Sequence, residues 1–281
     1  MWGQLATWPD LSFAVSLLAR FQTNPGLDHW NTLMHVIGYI KNTIDYGITY
    51  SRDMDLSPIA YVDADYGGCK DTWRSTSGYI FTMAGGLVTW SSKRQATVAL
   101  STVEAEYVAM SRCTQQMVWM QNWLSGAKIE YTLPGVMKGN NRGAIALTKN
   151  MKDHGKVKHI DIRHHYLREL VQSGTIIVEQ VPSTDNLADI FTKPLPHNLH
   201  HRLLATLNIY WALIHSWGSI GVCPEQTPIG VYSPVPMCYS FIVTIFFTSF
   251  YSFSCTPIAT TIYSLSWMWT SLSRFYNLDW E

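Results

Sequence analysis

The sequence predicts an α/β fold between about residues 57 and 209, and three observations carry that prediction. Strand-like and helix-like patterns alternate along this stretch. The run IAYVDADY, residues 59–66, alternates with period two, so Tyr61, Asp63 and Asp65 share one face and Ala60, Val62 and Ala64 the other. Three acids, Asp63, Glu106 and Asp189, are spread over the stretch, with an asparagine, Asn140, where a fourth acid is expected.

The elements follow in order. Residues 1–55 carry helical periodicity in LSFAVSLLARF (11–21) and HWNTLMHVIGYI (29–40), and Asn24-Pro25-Gly26 breaks the two. Two helices are too little chain for an independent core, so this zone is expected to be the remnant of something larger upstream. Residues 78–83 and 87–92 flank Gly85-Gly86 and read as a hairpin. The longest helix is expected from Ser101 to about Leu124, where Ser101 and Glu104 make a capping box. Glu106 has no such structural duty; it opens a row with Met110, Cys113 and Met117 along one side of that helix. A strand is expected to end near Gly139, with helices over 141–150 and 161–173, the latter closed by Gly174. A strand over 175–181 stops at Pro182, and Asp189 is placed in the first turns of a final helix begun by Thr184-Asp185.

Overall charge excludes nothing, because Lys plus Arg and Asp plus Glu each number 20 among the 281 residues. Local charge is more telling. Between Met137 and Arg168 eight Lys/Arg stand against the two acids Asp153 and Asp161, a basic stripe suited to phosphates. Five cysteines without a CxxC pair argue against a disulfide framework or a zinc site and suit a reducing compartment. The opening MWGQLATWPD lacks the basic and apolar regions of a signal peptide. Residues 210–281 change character: no charged residue lies between Glu225 and Arg274, and residues 238–254 have the length of a short membrane span diluted by Ser and Thr. This tail is expected to have no selected fold, and a membrane role is not expected.

Carboxylates scattered along a chain and gathered at one sheet edge can hold two divalent ions, the apparatus that hydrolyses a phosphodiester. Asn140 keeps an oxygen donor but removes a charge, and hard cations favour carboxylates, so the site is expected to be weakened. Asp185 is an alternative to Asp189 as the acid of the late helix, but a capping role is open to it and Asp189 is preferred. Asp65 is either a supporting acid or a solvated strand-end group. His159, His164 and His165 lack the i, i+4 spacing of a helical metal pair; a proton-shuttling role and a solvent-facing one both stay open. Trp90, Trp119 and Trp123 suit core packing or base stacking.

The segments YVDADYGG, RSTSGYIF, TWSSKRQATVALSTVEAEYVAM, GAIALTKN, KHIDIRHHYLRE and LADIFTKPLP, in that order, resemble the ribonuclease H domain of Ty1/copia-type retrotransposon polyproteins. WPDLSFAVSLLARF and HWNTLMHVIGYIKNTIDYGITY resemble the segment that joins reverse transcriptase to it. The resemblance implies a mixed five-stranded sheet flanked by helices, with the domain spanning 57–209. It implies hydrolysis of the RNA strand of RNA–DNA hybrids with two Mg²⁺, or Mn²⁺ in their place. Asp63, Glu106 and Asp189 fall on metal ligands, and Asn140 on the fourth catalytic position, where the family reads close to CDNQGAI and this chain reads GNNRGAI. Arg74, Lys93, Arg142, Lys158 and Arg163 are the expected nucleic-acid contacts. The partners implied are an RNA–DNA hybrid and an upstream reverse transcriptase, in a cytoplasmic particle or the nucleus. No Tyr-x-Asp-Asp polymerase signature and no protease or integrase motif occurs in the chain. Trp217-Gly218-Ser219 can be encoded by a purine-rich run, so residues from about 219 onward are expected to be translated terminal repeat.

Overall fold

A computed structural model describes residues 2–51, 53–149 and 158–211, with backbone only for Trp2, residues 158–164 and Trp211. The apolar run 238–254, Ser219 and most of the tail lie outside the described residues. Among those described, no helix is long and apolar enough to cross a membrane.

The N-terminal zone forms α1 (Trp2–Ala6), α2 (Ser12–Leu18) and α3 (Leu27–Asn42). The sequence suggests one helix over 11–21; the structure gives α2 between two 3-10 turns, Pro9–Leu11 and Ala19–Phe21. The hydroxyls of α2 are directed at neighbouring backbone. Ser12 Oγ donates to Gln4 O at 3.2 Å and Ser16 Oγ to Ser92 O at 3.3 Å. Trp90 Nε1 likewise donates to Gln4 O at 2.7 Å. The zone also contributes a strand that the sequence did not announce, β1 (Tyr46–Ile48), which closes an antiparallel pair with the last described strand. Lacking a large core of their own, these fifty residues are secured to the sheet by such bonds.

The main sheet is built from β2 (Ile59–Ala64), β3 (Thr76–Met83), β4 (Gly86–Arg94), β5 (Gly135–Gly139) and β6 (Ile176–Gln180), in the order β4-β3-β2-β5-β6. It is mixed: β2, β3 and β4 form an antiparallel meander, whereas β5 and β6 run parallel to β2. The β3–β4 turn is Ala84-Gly85, both at positive φ, as a two-residue hairpin of right-handed twist requires. Gly86 already belongs to β4, and a Cβ there would sit 2.4 Å from the Tyr50 ring.

The helix α4 (Thr102–Gly126) starts where its cap predicts: Ser101 Oγ accepts from Glu104 N at 3.1 Å. The return arm differs, with Glu104 Oε2 accepting from Leu100 N at 2.8 Å. Ser101→Ala is expected to cost about 1 kcal/mol in denaturant unfolding. The row Glu106, Met110, Cys113 and Met117 is buried throughout. With α5 (Arg142–Lys149) and α6 (Lys158–Gln172), α4 covers one sheet face over Ala60, Val62, Phe81, Met137 and Ile176. Alternate residues serve the other face, where Ile80 and Leu87 meet Leu187, Phe191 and α7 (His197–Thr206). The final strand β7 (Ile209–Trp211) pairs with β1.

Two expectations are corrected here. The helix expected at Asp161 begins at Lys158; Gly174 ends it at φ 72° as expected. The single helix expected from Thr184 is instead two 3-10 segments, Ser183–Asp185 and Leu187–Phe191, with α7 later. Buried Asn186 is the reason. Its side chain accepts from Ala188 N at 3.2 Å and donates to Val62 O at 2.9 Å, pinning an extended residue across the end of β2. Asn186 therefore does the capping assigned to Asp185, whose Oδ1 instead accepts from Arg202 Nη2 at 3.3 Å.

Candidate active site

Asp63 is the penultimate residue of β2 and lies opposite Gly78 of β3. The glycine matters for close approach. A Cβ on Gly78 would stand 2.7 Å from Thr192 Cγ2 and 2.9 Å from Phe191 Cβ. Without it, the Leu187–Phe191 segment lies against the strand and delivers Asp189 beside Asp63. Gly78→Ala is expected to destabilise the chain by about 1–3 kcal/mol through overpacking, read as a lowered thermal midpoint.

Both acids are almost fully enclosed, with Asp63 1% and Asp189 4% exposed. Thr192 Oγ1 donates to Asp63 Oδ2 at 2.5 Å. Lys193 Nζ lies 3.0 Å from Asp189 Oδ1 and 3.4 Å from Asp63 Oδ2, so one ammonium bridges the two carboxylates. Burial alone would lower the Lys193 pKa; the two neighbouring aspartates outweigh it and raise it.

Glu106 arrives from α4, on the opposite sheet face, and meets the backbone of Ala64 at the end of β2. Burial pushes its pKa up to about 9, with Asp63 and then Asp189 adding to the rise against the opposing pull of Lys193. Asp189 is pushed up to about 6, first by burial and then by Asp63. Asp65 is likewise raised to about 6, burial leading. It is not a freely solvated strand end: half-buried, it accepts from Thr76 N and braces the β2–β3 margin.

Asn140 follows β5 directly. It and Asp63 each stand two residues beyond the paired Tyr61 and Lys138, so they lie level across a parallel strand pair. Lys138 Nζ sits 5.4 Å from the centre of the Tyr61 ring, which puts those two side chains on one face. The Asn140 amide nitrogen donates to Ser183 Oγ at 3.3 Å, leaving its buried Oδ1 without a partner. Glu106 Oε2 is also buried and unpartnered. Among the described residues no three His, Cys, Asp or Glu side chains are gathered tightly enough to chelate one ion as they stand.

The expected nucleic-acid residues are distributed less tightly. Arg74 precedes β3, Lys93 pairs with Ser77 near the end of β4, and Arg142 opens α5, all at the sheet end that carries Asp63. No acid pairs with any of the three among the described residues. Lys158 and Arg163 lie on α6, which packs against α4 and α5, and their side chains lie outside those described, as do His159 and His164. His165 is exposed. Trp90 and Trp119 pack against the cores. Sequence reading passed over Lys193 and Thr192, although Lys193 stands four residues after Asp189, the spacing at which helical ion pairs form.

With this geometry in view, the described residues form an α/β domain on a mixed five-stranded sheet, its acids collected at one sheet end. The chain's relatives include Pol polyproteins of copia-type retrotransposons. It is 36% identical over 201 residues to the retrovirus-related Pol polyprotein from transposon TNT 1-94 of Nicotiana tabacum, covering 70% of this chain and 15% of that protein. It is 40% identical over 189 residues to the Pol polyprotein from transposon RE2 of Arabidopsis thaliana, covering 67% and 13%. The chain thus spans about a seventh of the length of these relatives. Among solved structures it is similar to LC11-RNase H1, isolated from compost, at 15% identity and a TM-score of 0.38, covering 49% of this chain and 93% of that one. No protein-family model matches it.

Proposed function

We propose that the chain carries a ribonuclease H domain that hydrolyses the RNA strand of RNA–DNA hybrids with Mg²⁺, weakened by Asn140. The observation that carries this reading is the convergence of Asp63, Glu106 and Asp189 at the end of β2, with Asn140 level beside them.

By donor chemistry the residues present fit such an ion, although among the described residues no three of the acids are gathered around one point as they stand. The donors are all oxygens, as magnesium prefers, and two of them, Glu106 Oε2 and Asn140 Oδ1, are buried without a partner. Asp63, Glu106 and Asp189 would hold it, with the Asn140 carbonyl as a neutral fourth donor. When bound, such ions activate a water and neutralise charge on the scissile phosphate. The chain supplies the remainder. Asn186 and Thr192 fix the two aspartates, and the buried walls keep bulk water from screening them. Arg74, Lys93 and Arg142 offer cations to the phosphates of a bound duplex at the same sheet end.

The test uses the full chain and a hybrid labelled on either strand. The RNA strand alone is expected to be cut, slowly, and Asp63→Asn is expected to remove the cleavage. Cutting that survives Asp63→Asn would contradict this assignment. Salt-sensitive hybrid binding with no cleavage, even in the Asn140→Asp variant, would mark the domain as a binding module instead.

A further inference from the structure

We infer that Lys193 is a built-in counter-ion: it holds the cation position between Asp63 and Asp189 when no divalent ion is present, and must swing out for one to bind. The inference rests on the proposed metal-binding reading of these acids.

The geometry is specific. One ammonium reaches carboxylates from two separate elements, Asp189 at 3.0 Å and Asp63 at 3.4 Å. Their side chains are 6% and 2% exposed, so neither can recover its lost hydration by turning to solvent. Deeply buried carboxylates without a cation would repel one another across the end of β2. The Lys193 side chain is 40% exposed, which gives its flexible four-carbon stem an open way out. A divalent cation seated between the same two oxygens cannot coexist with an ammonium at those distances.

Asn140 sharpens the effect. With a neutral amide at the fourth position, the charge that Lys193 faces is that of Asp63 and Asp189, and the ammonium offsets one unit of it. The lysine thereby favours the ion-free fold and raises the ion concentration needed to displace it. It would act as a positioning and gating residue, not as a catalytic one. Its readouts are binding, stability and amine reactivity.

The experiment titrates Mn²⁺ into the full chain, Lys193→Met, Lys193→Arg and Asp189→Asn, followed by the paramagnetic resonance of free Mn²⁺. The series is repeated in an Asn140→Asp background. Lys193→Met is expected to tighten Mn²⁺ binding about tenfold and to lower the thermal midpoint in chelator, so that Mn²⁺ raises that midpoint more than in the unaltered chain. Lys193→Arg, which keeps the charge, is expected to bind about as the unaltered chain does. A measurement on the unaltered chain covers the case in which Lys193→Met fails to fold. Acylation of Lys193 by an amine-reactive reagent, read by mass spectrometry, should be slow in chelator and about threefold faster with Mn²⁺. Unchanged Lys193 reactivity, or unchanged affinity in a folded Lys193→Met, would overturn the inference. If Asp189→Asn binds Mn²⁺ as well as the unaltered chain, it is the metal-binding reading itself that falls.

Discussion

Asn140→Asp is expected to raise hybrid cleavage at limiting Mg²⁺ by about 100-fold. The substitution adds one negative charge without changing shape, at a position level with Asp63. Unit charges about 4 Å apart interact by roughly 4 kcal/mol at an effective dielectric near 20. Part of that is offset by taking another carboxylate out of water, and a net gain of about 3 kcal/mol is about 100-fold. The local structure tolerates the change. Ser183 Oγ, which now accepts from the amide, can donate to the new carboxylate at the same 3.3 Å. The measurement is an initial rate across a Mg²⁺ series. A gain that shrinks as Mg²⁺ rises would place the effect in ion binding, whereas an equal rate at every concentration would remove Asn140 from the site.

The second large effect is on pH. Glu106 is raised to about 9, and Asp189 and Asp65 to about 6, chiefly by burial. A carboxyl whose pKa is higher in the folded chain binds its proton more tightly there. Its stabilisation is complete below the unfolded pKa, near 4, and is lost as pH rises through the folded value. In chelator, the thermal midpoint should therefore fall from about pH 4, steeply to about pH 6 while all three groups contribute, and more gently toward pH 9 through Glu106 alone. Divalent ions demand the ionised carboxylates, so Mg²⁺ should act in the opposite sense. The gap between midpoints with Mg²⁺ and with chelator is expected to widen steadily from about pH 6 to 9. Scanning calorimetry at matched ionic strength reads it directly. A gap that stays constant over that range would show that Glu106 does not ionise on ion binding.

Much of this architecture was legible in the residues because local rules and tertiary demands agree. Period-two alternation placed Asp63 on β2, the Ser101 cap fixed the start of α4, and Gly174 marked the end of α6. The two-helix reading of the N-terminal zone broke where Asn24-Pro25-Gly26 predicts. What escaped notice depends on contacts far apart in sequence. The 3-10 geometry around Asp189 comes from Asn186 reaching Val62, 124 positions away, and no local pattern encodes that bond. The β1 strand is three residues long and exists because β7 lies beside it. Of the candidate site, Glu106 stood out as an acid with no structural duty, whereas Asp63, Asn140 and Asp189 take their expected roles from the family resemblance. Lys193 did not stand out, because an exposed-looking lysine four residues after an aspartate is an ordinary surface pair. Only the burial of Asp63 and Asp189 shows that this ammonium faces inward.

The most direct measurement is the anomalous scattering of Mn²⁺ in crystals of the full-length Asn140→Asp chain. The expected result is manganese density bounded by Asp63, Glu106, Asp189 and residue 140, with the Lys193 ammonium displaced from between the two aspartates. Manganese ordered elsewhere, for instance against His197 and His201, whose rings lie 4.2 Å apart on α7, with the four positions at the end of β2 bare, would contradict the account.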